Sequence, residues 1–169
     1  MRADEGMAAR VLSMLREEGL TLAVAEASTG GLIGHLLTEV PGSSATFVGG
    51  VVPYHNRLKE RIGVDRTTLE RHGAVSEEAA AALARAVRQW AGSDLGLAVS
   101  GIAGPGGGTA DKPVGLTYVA LAGPDCCLCR RFVLEGDRSA NKRQAALAAL
   151  ELVAHYLHYH HRQEGRPEP

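Results

Sequence analysis

Ser100-Gly-Ile-Ala-Gly-Pro-Gly-Gly-Gly-Thr-Ala-Asp-Lys-Pro-Val-Gly115 lies between two apolar runs, Leu95-Gly-Leu-Ala-Val99 and Leu116-Thr-Tyr-Val-Ala-Leu121. Short apolar runs bounded by turn residues read as buried strands, so the glycine-rich segment joins two strands of one sheet. Six glycines and two prolines shape its backbone. Without Cβ atoms such a chain turns sharply and brings its N–H groups close to a ligand. That suits a small anion such as phosphate. The segment nevertheless fits neither common phosphate pattern. Gly104-Pro-Gly106 runs on to Thr109, where a dinucleotide fingerprint needs a third Gly, and no Gly-Lys-Ser/Thr follows as in an NTPase P-loop. A long surface hairpin is the competing reading. Long irregular loops in compact domains are usually functional or disordered, and the tight apolar flanks argue against disorder.

Outward from this loop, helical and strand patterns alternate. Met7, Val11, Met14 and Leu15 predict an amphipathic helix over Gly6 to Glu18, and Leu20 to Ala25 a buried strand. Glu26-Ala-Ser-Thr-Gly-Gly31 leads into a second helix. Ser28 or Thr29 is placed to cap it, and Gly30 and Gly31 are placed to leave its first N–H groups open to a ligand. Pro41-Gly-Ser-Ser44 ends that helix, and Thr46 to Val52 is β-rich. Asn56 and Thr67 are candidate caps of two short helices, and Ser76-Glu-Glu78 starts a longer one. Strands follow at Leu95–Ser100, Leu116–Ala122 and Cys127–Leu134, the last two joined at Pro124-Asp125. A final helix begins after Gly136-Asp137-Arg138. The expected fold is one α/β domain, a three-layer α/β/α arrangement with a mixed sheet over residues 1–161. Residues 162–169 read as a polar, disordered tail.

Composition narrows the function classes. A chain of 169 residues supports a core without metal or disulfide staples. Its 45% hydrophobic and 22% charged content is ordinary for a globular protein. A net charge of −1 with interspersed signs gives no footprint for nucleic acid or acidic lipid. No apolar run approaches the roughly 20 residues of a membrane span, and Met1-Arg-Ala-Asp-Glu lacks the apolar core of a signal peptide. The expectation is a cytoplasmic protein, a homo-oligomer, with no nucleic-acid or membrane partner. Cys126, Cys127 and Cys129 do not converge as ligands on a strand and read as small buried hydrophobes. His155, His158, His160 and His161 have no acidic or Cys partner beside them, so no metal is expected there.

The segments Ala25-Glu-Ala-Ser-Thr-Gly-Gly31, Pro41-Gly-Ser-Ser-Ala45, Val52-Pro-Tyr-His-Asn-Arg-Leu-Lys59, Gly73-Ala-Val-Ser-Glu77, Ser100 to Gly115 and Gly136-Asp-Arg138 follow one another in order. Together they resemble the C-terminal domain of the CinA, or competence/damage-inducible, family, over almost the whole chain. That domain also occurs alone as a nicotinamide-nucleotide amidohydrolase. The larger family members carry a preceding molybdopterin-binding-like domain, for which 169 residues leave no room. The family usually has Glu-Ser-Cys-Thr-Gly-Gly where this chain has Glu26-Ala-Ser-Thr-Gly-Gly31, so no Cys nucleophile stands at position 28.

The resemblance implies hydrolysis of the carboxamide of nicotinamide mononucleotide, without a cofactor, by residues matching Ser44, Tyr54 and Lys59. A lysine amine is charged at neutral pH and accepts a serine proton only if burial or a nearby positive charge lowers its pKa. Tyr54 would relay the proton or hold the lysine. Ser28, on a strand-to-helix turn, is the second candidate nucleophile. The 5′-phosphate is expected on open N–H groups, at Thr29-Gly30-Gly31 or in the loop containing Gly101, Ala103, Gly104, Gly106 and Gly107, with Arg138 as a bidentate partner. Glu26 would bind ribose hydroxyls, offset the pyridinium charge, or cap its own helix. The alternative function is a non-catalytic nucleotide-binding or regulatory module linked to competence or DNA damage.

Overall fold

The structure, a computed structural model, describes residues 3–163. Five strands form one sheet in the order β2-β1-β3-β4-β5. β1 (Leu22–Glu26) runs parallel to β2 (Phe47–Val51) on one side and to β3 (Leu95–Gly101) on the other. β4 (Leu116–Ala122) and β5 (Cys127–Val133) continue antiparallel from β3. Six α-helices pack around the sheet: α1 (Ala3–Glu18), α2 (Leu32–Thr38), α3 (Asn56–Arg61), α4 (Arg66–His72), α5 (Glu77–Ala91) and α6 (Arg138–Gln163). The chain is thus the α/β domain with a mixed sheet that its pattern predicts.

The two faces of the sheet differ in side-chain size. Leu22, Val24, Leu97, Val99, Val119 and Leu121 meet α1, α2 and α6 in one cluster. Ala23, Ala25, Ala98, Ala120 and Ala122 face the other way, against Leu83, Ala84 and Val87 of α5. Alternation along each strand sends successive side chains to opposite faces, so one layer is bulky and the other small. The small face lets α5 approach closely. A Cβ at Gly96 would collide with the Ala84 carbonyl and the Arg88 backbone. α5 itself begins as predicted, with Ser76 Oγ accepting from Ala79 N at 3.1 Å and Glu77 and Glu78 in its first turn.

Several local expectations are corrected. His55, not Asn56, caps α3, its Nδ1 accepting from Arg57 N at 3.2 Å. Asp65 caps α4, accepting from both the amide and the hydroxyl of Thr67. α6 extends to Gln163, two residues into the expected tail, and residues 164–169 lie outside the described residues. Of the three cysteines, Cys126 is exposed, while Cys127 and Cys129 are half-buried against the small face. Burial pushes the Cys129 thiol up to about 12 and raises that of Cys127, so both stay protonated.

Gly96→Ala is expected to lower stability by about 1–3 kcal/mol, because α5 must shift to admit the methyl group. A urea midpoint equal to wild type would show that the α5 contact has slack.

Candidate active site

The three parallel strands all end at the same edge of the sheet, where ligands collect in open α/β folds. Ala27 and Ser28 follow β1, Tyr54, Asn56 and Lys59 follow β2, and Ser100 and Gly101 close β3. With Ala74, Val75, Ala103 and Arg138 they line a cavity of about 140 Å³.

Lys59 is the chemically unusual member. It is 3% exposed, and its Nζ donates to the Tyr54 carbonyl at 3.0 Å and to Asn56 Oδ1 at 3.4 Å. Among the described residues no carboxylate lies within ion-pair distance of it. Burial without a counter-charge disfavours the ammonium and lowers the Lys59 pKa. Ser28 lines the same cavity; its Oγ is shielded from solvent and has no hydrogen-bond partner. The neighbouring Ser100 hydroxyl is engaged, donating to the Ala74 carbonyl at 2.6 Å.

Arg138 positions Tyr54. Its Nη1 donates to the Gly104 carbonyl at 2.7 Å and its Nη2 to Tyr54 Oη at 3.3 Å. The glycine loop therefore anchors a guanidinium, and only Gly101 and Ala103 of its predicted ligand positions line the cavity. Gly106 and Gly107 lie on its exposed outer part. Lys112 ties the same loop to the α4–α5 junction, donating to the carbonyls of His72 at 2.7 Å and Val75 at 2.8 Å.

Glu26 takes the helix-capping role among the alternatives open to it. The 1%-exposed carboxylate accepts from Thr29 Oγ1 at 2.6 Å, Gly31 N at 3.1 Å, Ile33 N at 2.9 Å and Gly34 N at 2.8 Å. Ser28 and Thr29 do not cap α2, whose cap residue is Gly31. Nor do Gly30 and Gly31 leave the start of α2 open to a ligand, because this buried side chain already holds the amides of Gly31, Ile33 and Gly34.

Tyr54 and Lys59 come together, but Ser44 does not join them within one chain. Ser44 sits exposed in a 3-10 turn, Ser43–Ala45, before β2. Leu22 N donates to the Thr46 carbonyl at 2.8 Å, which places that turn at the start of the parallel strands. The cavity is at their other end, and five residues of β2 span about 16 Å. The sequence reading gives Asn56 only a capping role and Ser100 none, yet both line the cavity. Ser100 carried a readable signal, a hydroxyl at the C-terminal end of a buried strand.

A mixed-sheet α/β domain with a cavity at the C-terminal strand edge, built around one buried lysine, is the class these features define. The model of the CinA C-terminal domain family matches residues 4–157, and the chain belongs to that family. It is similar to a CinA-like protein of Parasynechococcus marenigrum, 49% identical over 157 residues, which cover 91% of this chain and 38% of that relative. A CinA-like protein of Myxococcus xanthus is 48% identical over 156 residues, covering 91% and 37%. The chain thus spans well under half the length of these relatives. Among solved structures, the competence/damage inducible protein CihA from Agrobacterium tumefaciens superposes with a TM-score of 0.88 at 36% identity, covering 94% of this chain and 98% of that one. Among the described residues no helix is long and apolar enough to cross a membrane, and no group of three or more His, Cys, Asp or Glu is placed to hold a metal ion.

The lowered pKa of Lys59 has a sign for stability. The unfolded chain holds this proton more tightly than the fold does, so stability gained from this group rises with pH from the folded pKa toward the ordinary 10.5. Lys59→Met is expected to remove that alkaline gain, measured as urea midpoints of the two proteins against pH. Parallel midpoint curves would mean that the ammonium is not disfavoured in the fold.

Proposed function

We propose that this domain hydrolyses the carboxamide of nicotinamide mononucleotide to nicotinic acid mononucleotide and ammonia. The observation that supports this most is Lys59, a buried amine without a counter-ion, lining one cavity with the unpartnered hydroxyl of Ser28. A metal-independent amidase of the serine type needs such a pair, a base of lowered pKa and a hydroxyl with no other engagement. The family match adds to the reading, and the names of its relatives speak of competence and damage rather than of a reaction.

In the proposed reaction neutral Lys59 takes the serine proton as the hydroxyl oxygen attacks the amide carbon. The tetrahedral intermediate collapses, its C–N bond breaks, and the Lys59 ammonium returns the proton to the leaving ammonia. Water then attacks the nicotinoyl ester with Lys59 again as base, releasing the acid and restoring the serine. The pyridinium charge of the substrate disfavours the lysine ammonium further, so binding and activation are coupled. Tyr54, whose hydroxyl Arg138 holds, would position the base through its backbone carbonyl, which accepts from Lys59 Nζ. Within one chain the nucleophile of this scheme is Ser28. Ser44 would take the part only in a site completed by another copy, and the outer edge of β2, with Val48 and Val52 exposed, is where such a copy would find apolar surface.

The test is ammonia release from nicotinamide mononucleotide by wild type and by Ser28→Ala, Ser44→Ala and Lys59→Ala. The expected outcome is a loss of about 10²–10⁴ in kcat/KM for Lys59→Ala, a comparable or larger loss for Ser28→Ala, and a change of a few-fold for Ser44→Ala. Inactive Ser44→Ala whose activity returns on mixing with Lys59→Ala would transfer the nucleophile to a shared site. Folded wild type that binds the nucleotide but releases no ammonia would favour a non-catalytic binding module.

A further inference from the structure

The end of the sheet opposite the candidate active site carries the β4–β5 turn, because Ala122 at the end of β4 pairs with Gly96 near the start of β3. Two cavities flank that turn and share Pro124, Asp125 and Cys126 as lining. One, of about 550 Å³, is walled by Leu128 and by His155, Tyr156 and Tyr159 of α6. The other, of about 340 Å³, is walled by Arg85, Arg88 and Gln89 of α5. Both are of small-molecule size, roughly 300–1,000 Å³. They meet at Gly123, which lines the second cavity. The Tyr156 hydroxyl of the first lies 3.0 Å from where a Cβ there would stand, so a glycine leaves room for it.

The two cavities offer opposite chemistry. Tyr159 is 54% exposed and Leu128 37%, so neither is spent on the core. The Tyr159 ring lies between two imidazoles, 4.6 Å from the His155 centroid and 6.1 Å from that of His158. An exposed ring held in this way is a platform on which a flat heterocycle stacks. On the other side of the turn Arg85 is exposed and Arg88 half-buried, with Arg88 Nε donating to the Asp94 carbonyl at 2.7 Å. Among the described residues neither arginine forms an ion pair. The Asp94 carboxylate near Arg88 is engaged by the amide and hydroxyl of Thr21. Two guanidiniums without carboxylate partners suit an oxyanion. Burial, Cys126 and Asp125 raise the Tyr156 pKa and Arg88 opposes them, which puts that guanidinium within electrostatic reach of the aromatic cavity. A cationic ring is therefore disfavoured beside Tyr156, and a neutral one suits it.

We infer that this saddle is a second binding site, for a mononucleotide with an uncharged aromatic base. The base stacks on Tyr159, the sugar crosses the turn at Asp125, and the phosphate meets Arg85 and Arg88. Asp125 lines both cavities; its carboxylate accepts from sugar hydroxyls and repels phosphate, which directs the anion to the arginine side. The inference goes beyond the amidase reading and does not depend on it, since the site lies at the other end of the sheet and disfavours a pyridinium ring.

Adenosine 5′-monophosphate is the probe, titrated into the whole chain and followed by heteronuclear NMR at fixed ionic strength. Resonances of Gly123 and Leu128 report this site, and those of Ala27 and Gly101 report the candidate active site. The expected result is saturable shifts at Gly123 and Leu128, with affinity lowered about 5- to 100-fold in Tyr159→Ala and largely kept in Tyr159→Phe. Arg85→Ala is expected to weaken the nucleotide about ten-fold and to leave the weaker binding of adenosine unchanged. Shifts confined to Ala27 and Gly101, no shifts at millimolar nucleotide, or equal affinity in wild type and Tyr159→Ala would each overturn the site. Ammonia release from nicotinamide mononucleotide is read separately. Wild type that binds adenosine 5′-monophosphate at the turn but releases no ammonia sinks the amidase reading and leaves this site standing.

Discussion

The carboxylate of Glu26 is the interaction on which the arrangement around the cavity depends. It ends β1 and at the same time satisfies three backbone amides at the entry to α2 and the hydroxyl of Thr29. Helix starts leave their first amides unsatisfied, and a buried start needs an acceptor from elsewhere. Hydrogen bonds to a charged group contribute about 1.5–3 kcal/mol each, enough together to hold a turn with two consecutive left-handed glycines, Gly30 and Gly31. With the turn fixed, Ser28 borders the cavity. The same contact that completes the helix leaves the amides of Gly31, Ile33 and Gly34 engaged rather than open.

The unequal faces of the sheet explain why the cavity forms where it does. On the alanine-rich face α5 lies close to the strands, and the chain entering it passes Ala74 and Val75 directly over the ends of β1 and β3. On the opposite face leucines and valines hold α6 further out, yet its first turn still brings Arg138 to the same edge. Elements from both layers therefore converge above three parallel strand ends. The antiparallel pair β4–β5 supplies hydrogen-bonding partners for β3 but none of the residues lining this cavity.

The strands and long helices were legible because doubly buried parallel strands read as continuous apolar runs and α5 carries its own cap and apolar stripe. What escaped was decided by competition between neighbours. Asp65 and Thr67 both favour a cap position, and the start of α4 at Arg66 gives it to Asp65. An imidazole at His55 is an uncommon cap, and Asn56 beside it is a better one by propensity. For Glu26 the sequence left three roles open, and only the folded turn selects one. The separation of Ser44 from Tyr54 has a plainer origin. Eleven residues that straddle a five-residue strand leave their ends at opposite edges of a sheet, whatever motif they share. Lys59 was singled out by resemblance, but its burial and lack of a counter-ion are properties of the packed α3 and not of its pattern.

One tether has a temporal consequence. The outer part of the glycine loop is joined to the α4–α5 junction by the flexible side chain of Lys112, through two carbonyl contacts, while the sheet beneath it is locked by ladders on both sides of β3. The floor and one wall of the cavity therefore belong to different cooperative units. Opening the wall breaks side-chain contacts, whereas opening the floor breaks the ladders on both sides of β3. The loop and the sheet beneath it therefore answer to different clocks.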